Sequence, residues 1–249
     1  MNCSSEDRSK NTTVCVSIVS HGQAEMVSHL LSDLDKSPDR NFEVVITVNI
    51  PEDLSHYRGF GFPISIIENA IPQGFGDNHN KAFLTTNAVC FAVVNPDIRL
   101  RCININDMAA ALDSTRAAAI APLVFSPKGF IDDSARNFPT VYSIIKRVLF
   151  GRRRLDYNFA DRYTSVDWVA GMFVIFKSLE YKNIGGFDAG RFFMYFEDVD
   201  ICKRLRSRGS SIIVDSKWSV IHDAQRSSHR SVKHFVWHAT SMFRFFTGF

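Results

Sequence analysis

The stretch RFFMYFEDVDICKRLRSRG, residues 191–209, sets three carboxylates, Glu197, Asp198 and Asp200, between an aromatic run and a basic one. Ionised carboxylates are costly to desolvate beside apolar side chains, so the placement points to chemistry as well as packing. A helix starting near Glu197 would favour negative charge in its first turn, which lets Glu197 and Asp198 stay ionised. Asp200 stands three before Lys203 and four before Arg204, an ordinary helical ion-pair spacing. Asp200 therefore takes a structural role, and Asp198 is the candidate reactive acid.

Three further places carry candidate groups. In VVNPDIRL, Asp97 sits just past a buried strand, with Asn95 two residues earlier and Pro96 stiffening the turn. A single hard oxygen ligand there could share a divalent cation with a diphosphate, which supplies the other oxygens; the competing role is that of a turn former. His222 closes the stretch KWSVIHD, with Arg226, His229 and Arg230 close behind, a company suited to metal and phosphate. The stretch GFGDNHNKA (residues 74–82) fails as a dinucleotide fingerprint, because His79 stands where the third glycine belongs. What it leaves is a glycine-flexible loop, with Asn80, whose amides could meet a phosphate or sugar, or else a tight turn with an asparagine-rich cap.

The elements that must position these groups follow from periodicity. VCVSIVS reads as a buried strand, QAEMVSHLLSDLDK as a helix with Met26, Leu30, Leu31 and Leu34 on one stripe, and FEVVITVNI as a second strand. PISIIEN, AVCFAVV and AAAIAPLVF continue as strands, separated by helices over DNHNKAFLTTN and the asparagine-capped NINDMAAALDS. Such alternation predicts an α/β domain: an open, mostly parallel twisted sheet with helices on both faces, its ligand site off the carboxyl ends of the strands. After residue 125 the pattern loosens to a helix over VYSIIKRVLF, a basic loop, one strand VDWVAGMFVIF, the helix EDVDICKRLRSRG, and two strands, SIIVD and KWSVIHD. A last helix from about His229 aligns Val232, Phe235, Val236, Ala239, Phe243 and Phe246.

At 249 residues, 45% hydrophobic and 22% charged, the chain is expected to fold as one globular domain over residues 14–228. A polar leader, 1–13, precedes the domain and a helical extension, 229–249, follows it. Within it, the regular alternation of residues 14–125 and the looser pattern of 126–228 mark two halves. A net charge of +3 is too weak for nucleic-acid binding. Five scattered cysteines without a CxxC pair argue against a disulfide framework or zinc site and fit a reducing, cytoplasmic setting. The polar N-terminus has no signal-peptide core, and no apolar run approaches a membrane span.

The combination SIVSHG, NPDI, DSARNFPT, DWVAGMFVIFKSLEYKNIGGFDAGRFFMYFEDVDICKRLRSRG and VIHDAQRSSHRS resembles the inverting glycosyltransferases of family 2, in the rhamnosyltransferase-like branch that builds bacterial O-antigen and capsule chains. The likeness spans roughly residues 14–248. It implies a GT-A fold, a nucleotide-diphosphate sugar donor (a dTDP or UDP sugar), Mg2+ or Mn2+, and a saccharide or lipid-linked acceptor. By the same resemblance Asp97 and His222 would hold the metal, with Asn95 replacing the first acid of the usual pair. Asp198 would be the catalytic base. Ser20, His21, Asn49, Asn80, Asn95, Arg226, His229 and Arg230 would meet the nucleotide sugar, Asn49 standing where relatives carry an aspartate. Arg136, Trp168, Gly171 and Glu197 would face the acceptor.

The C-terminal helix, with Phe243, Phe245 and Phe246 beside Lys233 and Arg244, could rest on an anionic membrane surface, pack on its own domain, or join a second subunit as a homodimer. Two rival functions remain at this level. A GT-A-like binder without turnover would tolerate the single acid in NPDI but has no use for the ED pair. A nucleotidyltransferase would want a basic glycine-rich loop near the N-terminus, and SIVSHGQAEM has no lysine or arginine.

Overall fold

The computed structural model describes residues 13–151, 155–223 and 232–248. The first half alternates as its periodicity predicts: β1 (Val14–Ser20), α1 (Ala24–Asp35), β2 (Phe42–Val48), β3 (Ile64–Glu68), α2 (Phe75–Phe83), β4 (Cys90–Val94), β5 (Ile98–Cys102), α3 (Ile105–Thr115) and β6 (Ala117–Phe125). Val27, Leu30, Leu31 and Leu34 form the buried stripe of α1. The Asn104 side chain caps α3 by accepting from the Asn106 and Asp107 amides. β5 is a strand not assigned from the sequence above, although IRLRC alternates arginine with apolar residues as an edge strand does.

The second half holds β7 (Ala135–Arg136), α4 (Val141–Phe150), β8 (Tyr163–Val166), β9 (Trp168–Val169), β10 (Phe173–Lys177), α5 (Ser178–Asn183), α6 (Glu197–Ser207), β11 (Ser211–His222) and α7 (Val232–Thr247). The expected strand VDWVAGMFVIF is broken around Gly171, so β9 leaves to pair with β7 while β10 enters the large sheet. The two strands expected over SIIVD and KWSVIHD are one, β11, with a register irregularity between Asp215 and Ser219.

The large sheet runs β3-β2-β1-β4-β10-β6-β11-β5, with β8 also paired to β11. Its first four strands are parallel, as βαβ crossovers require. β10 lies antiparallel between β4 and β6, and β11 is parallel to β6 but antiparallel to β5 and β8. The sheet is therefore mixed rather than mostly parallel, since the long 126–172 excursion returns the chain in the opposite direction. Alternate side chains feed two cores: Val14, Val16 and Ile18 join α1 and α3 on one face, while Cys15 joins Tyr181 of α5 and Ile201 and Leu205 of α6 on the other.

α7 packs on its own domain through a different stripe from the expected one. Ser241 and Phe245 are buried, whereas Phe235, Val236, Phe243 and Phe246 are exposed. Phe196 and Lys203 accept the Phe245 ring, and that contact fixes which side faces inward.

Candidate active site

Asp198 sits in the first turn of α6, whose N-terminus opens on two consecutive residues in the left-handed region, Tyr195 (φ 71°) and Phe196 (φ 66°). Neither is a glycine, so the backbone there is strained by about 1–3 kcal/mol per residue and must be held by its surroundings. α7 supplies the hold. Tyr195 Oη shares a 2.8 Å hydrogen bond with His234 Nδ1, the Tyr195 and Phe196 rings pack against His238, and Ser241 Oγ donates to the Met194 carbonyl at 2.8 Å.

The Asp198 carboxylate accepts from two backbone amides, Gly171 N–H at 3.2 Å and Val199 N–H at 2.8 Å. The chain break around Gly171 makes this possible: a Cβ there would stand 3.2 Å from the Phe75 ring and 3.7 Å from Asp198 Cβ. Burial raises the Asp198 pKa, opposed by those two amides and by the Arg136 guanidinium. Glu197 is buried deeper, with Oε2 unpartnered; burial and the neighbouring Asp198 push its pKa well above the usual range. Of the two adjacent acids, Asp198 has the amide and guanidinium neighbours that favour a carboxylate, whereas burial and the neighbouring charge favour the protonated form of Glu197.

A cavity of about 950 Å³ opens over this carboxylate. Trp168, Arg136 and Phe138 line one wall, α4 contributes Ile144 and Phe150, and α7 contributes His238 and Met242. Trp168 is fixed by its indole N–H donating to the Asn137 carbonyl at 2.9 Å, and Arg136 lies 5.3 Å over its ring while bonding Asp133 at 2.7 Å.

The second corner lies outside that cavity lining. His222 Nε2 stands 3.2 Å from Asp97 Oδ2, and its Nδ1 stands 3.1 Å from Asp132 Oδ2. Burial opposes a charge on His222, yet the two carboxylates outweigh it and raise its pKa. Asp97 Oδ1 is buried with no partner. An orphaned carboxylate oxygen beside an imidazole nitrogen fits a hard divalent cation, with Asp97 and His222 as ligands and Asp132 orienting the imidazole. Among the described residues no group of three such side chains converges on one point, so further ligands would come from a diphosphate.

The two corners are joined through a short path. Asn95 N–H donates to the Met172 carbonyl at 2.9 Å, next to Gly171, and Ala170 N–H donates to the Ser134 carbonyl at 2.7 Å. Residues 132–136 thus reach from the His222 side to Arg136 on the Asp198 side.

At the carboxyl ends of β1 and β2, Ser20 Oγ donates to Glu52 at 2.8 Å and His21 is exposed. Asn49 uses its whole side chain within the fold: its NH2 donates to Gln73 O (3.0 Å) and His21 Nδ1 (3.2 Å), and its Oδ1 accepts from Gln73 N–H (2.8 Å) and Asn69 (2.9 Å). It shapes the cleft rather than offering a free edge. Asn80 departs from the expected nucleotide contact, because its amide turns inward to Phe187 O (2.8 Å), Phe187 N–H (3.0 Å) and Tyr181 Oη (2.7 Å). The glycine-flexible loop is also committed: Phe75 N–H donates to Phe193 O at 3.0 Å, and a Cβ on Gly74 would meet that oxygen at 2.5 Å. Arg226, His229 and Arg230 lie outside the described residues.

No family model matches the chain. Rhamnosyltransferase WbbL of Escherichia coli K12 is 28% identical over 93% of this chain and 92% of its own length. The N-acetylglucosaminyl-diphospho-decaprenol L-rhamnosyltransferase of Mycobacterium tuberculosis H37Rv is 29% identical over 61% of this chain, which spans 53% of that protein. Among solved structures, the mannosyltransferase PcManGT from Pyrobaculum calidifontis, in complex with GDP-Man and Mn2+, matches with a TM-score of 0.63 at 16% identity, covering 95% of this chain and 65% of that one. GalNAc-T7 with UDP, GalNAc and Mn2+ matches with a TM-score of 0.66 at 13% identity over 87% of this chain and 44% of that one. The chain is a glycosyltransferase with a GT-A fold, similar in sequence to rhamnosyltransferases.

In this glycosyltransferase two site features escaped sequence reading. Asp132 had a signal in the DD pair ahead of SARNF, but only the fold shows that it faces His222. The left-handed pair at Tyr195 and Phe196 had none, since neither residue type announces a positive φ.

Proposed function

We propose that this glycosyltransferase moves a rhamnose-like sugar, with inversion, from a nucleoside diphosphate sugar donor to a hydroxyl of a saccharide acceptor, lipid-linked like the decaprenol for which the mycobacterial relative is named. The observation that carries the reading is the Asp198 carboxylate, held by the Gly171 and Val199 amides at the floor of a sugar-sized cavity. Asp198 accepts the acceptor's hydroxyl proton as that oxygen bonds to the anomeric carbon. The bond from anomeric carbon to phosphate oxygen breaks, and its electron pair leaves on the nucleoside diphosphate. A divalent cation at Asp97 and His222 would neutralise the departing diphosphate, and Asp132 would hold His222 Nε2 towards Asp97. Arg136 keeps Asp198 ionised, and Trp168 offers a flat face to the acceptor ring.

Asp198→Asn should lower turnover by about 10² to 10⁴, the usual cost of losing a positioned base, while donor binding persists. Near-normal turnover in that variant, measured as nucleoside diphosphate release with acceptor present, would reject the assignment.

A further inference from the structure

Two helices, α4 and α7, border the cavity over Asp198, and each turns a second, apolar face to solvent. On α4 the exposed side chains are Val141, Tyr142, Ile145 and Leu149, with Leu149 68% exposed; on α7 they are Phe235, Val236 and Phe243, with Phe235 74% exposed. Isolated exposed apolar residues are ordinary on a protein surface, but two stripes of them beside one cavity are not.

The charge of the same segments points to what covers them. Residues 134–155 contain six arginines and lysines and no acid, and residues 224–249 contain four and no acid. The rest of the chain holds 19 Lys and Arg against 26 Asp and Glu, so it is net negative. Basic charge is thus concentrated in the two segments that also expose large apolar side chains. An interfacial amphipathic helix has this make-up: apolar side chains enter the headgroup boundary while lysine and arginine meet anionic lipid. A second copy of this chain is a poorer fit, because it would set two basic, acid-free segments against each other. Among the described residues no helix is long and apolar enough to cross a membrane.

We propose that α4 and α7 together form a docking surface for an anionic lipid bilayer, which seats the cavity mouth against the membrane. Ile144 and Phe150 of α4, and Met242 of α7, already line the cavity. The path from bilayer to Asp198 is then short and partly apolar, so an acceptor anchored in the membrane reaches the base without leaving it. The surface stands apart from the assignment of Asp198, and its test uses neither donor nor acceptor.

The experiment is flotation of the full chain with phosphatidylcholine vesicles, with and without phosphatidylglycerol. Binding is expected only where phosphatidylglycerol is present, and it should weaken as salt is raised. The double variants Tyr142→Ser with Leu149→Ser, and Phe235→Ser with Phe243→Ser, change exposed side chains and should keep the melting temperature. Each should lower vesicle affinity at least about tenfold, from the apolar area that no longer enters the bilayer. Equal flotation on both vesicle types, or unchanged affinity in both double variants, overturns the proposal. So does a wild-type dimer in sedimentation velocity that both variants dissolve, with no vesicle binding, since the faces would then be a subunit interface.

Discussion

Glu197 and Asp198 are neighbours of the same chemical type, and their surroundings give them opposite tasks. Glu197 has an unpartnered buried oxygen and a pKa pushed well up, so burial favours its neutral form. Glu197→Gln copies that neutral form and is expected to hold turnover within a few-fold, against the drop of about 10² to 10⁴ expected for Asp198→Asn; steady-state rates of the two variants side by side check this. The pKa of Asp198 is raised by burial above the ordinary carboxylate value, so its base form is lost as pH falls through that raised value. The acid limb of kcat/KM should therefore lie at higher pH than for an exposed aspartate. Arg136 lowers the Asp198 pKa, so Arg136→Gln should move that limb further up in pH. A pH–rate profile that stays in place would remove Arg136 from this role.

At the scale of elements, α6 delivers the proposed base, Asp198, and α7 braces the turn before it. Asp200, which Arg204 bonds at 2.7 Å and Arg191 approaches at 3.5 Å, anchors α6, and Arg204 also donates to the carbonyls of Ile184 and Gly186. Asp200→Ala should cost about 2 kcal/mol in denaturant unfolding, because charged partners lose their acceptor. The strained turn before α6 depends on α7 instead. Ser241→Ala removes the hydroxyl that holds the Met194 carbonyl and is expected to cost about 1 kcal/mol and to lower turnover. Full turnover in that variant would show that α7 does not brace the site.

For the whole molecule, the proposed cation corner at Asp97 and His222 and the proposed base corner at Asp198 are separate parts joined by residues 132–136, and they should fail separately. A donor nucleotide with Mn2+ at about a hundred times its Kd should stabilise the fold by about 2.7 kcal/mol, a shift of several degrees in melting temperature. Asp97→Asn should lose the Mn2+-dependent part of that shift, while Asp198→Asn should keep all of it. The alternating half of the fold was legible from residue 14 to residue 125, because local periodicity there coincides with the βαβ layout. Asp200 was legible for the same reason, its partner Arg204 being one helical turn away. Asn80 was misread, since an amide that looks free in a loop sequence is consumed by Tyr181 and Phe187, about a hundred residues along the chain. The C-terminal stripe was misread too, because helical spacing reports an apolar face and not what that face meets. By itself the sequence determined the elements, the acid pair and the basic, apolar ends, all of which are properties of neighbours along the chain. Which acid is charged, that Asp132 orients His222, and which face of α7 is left open were decided only by tertiary structure, since each depends on burial and on partners that folding brings from far away.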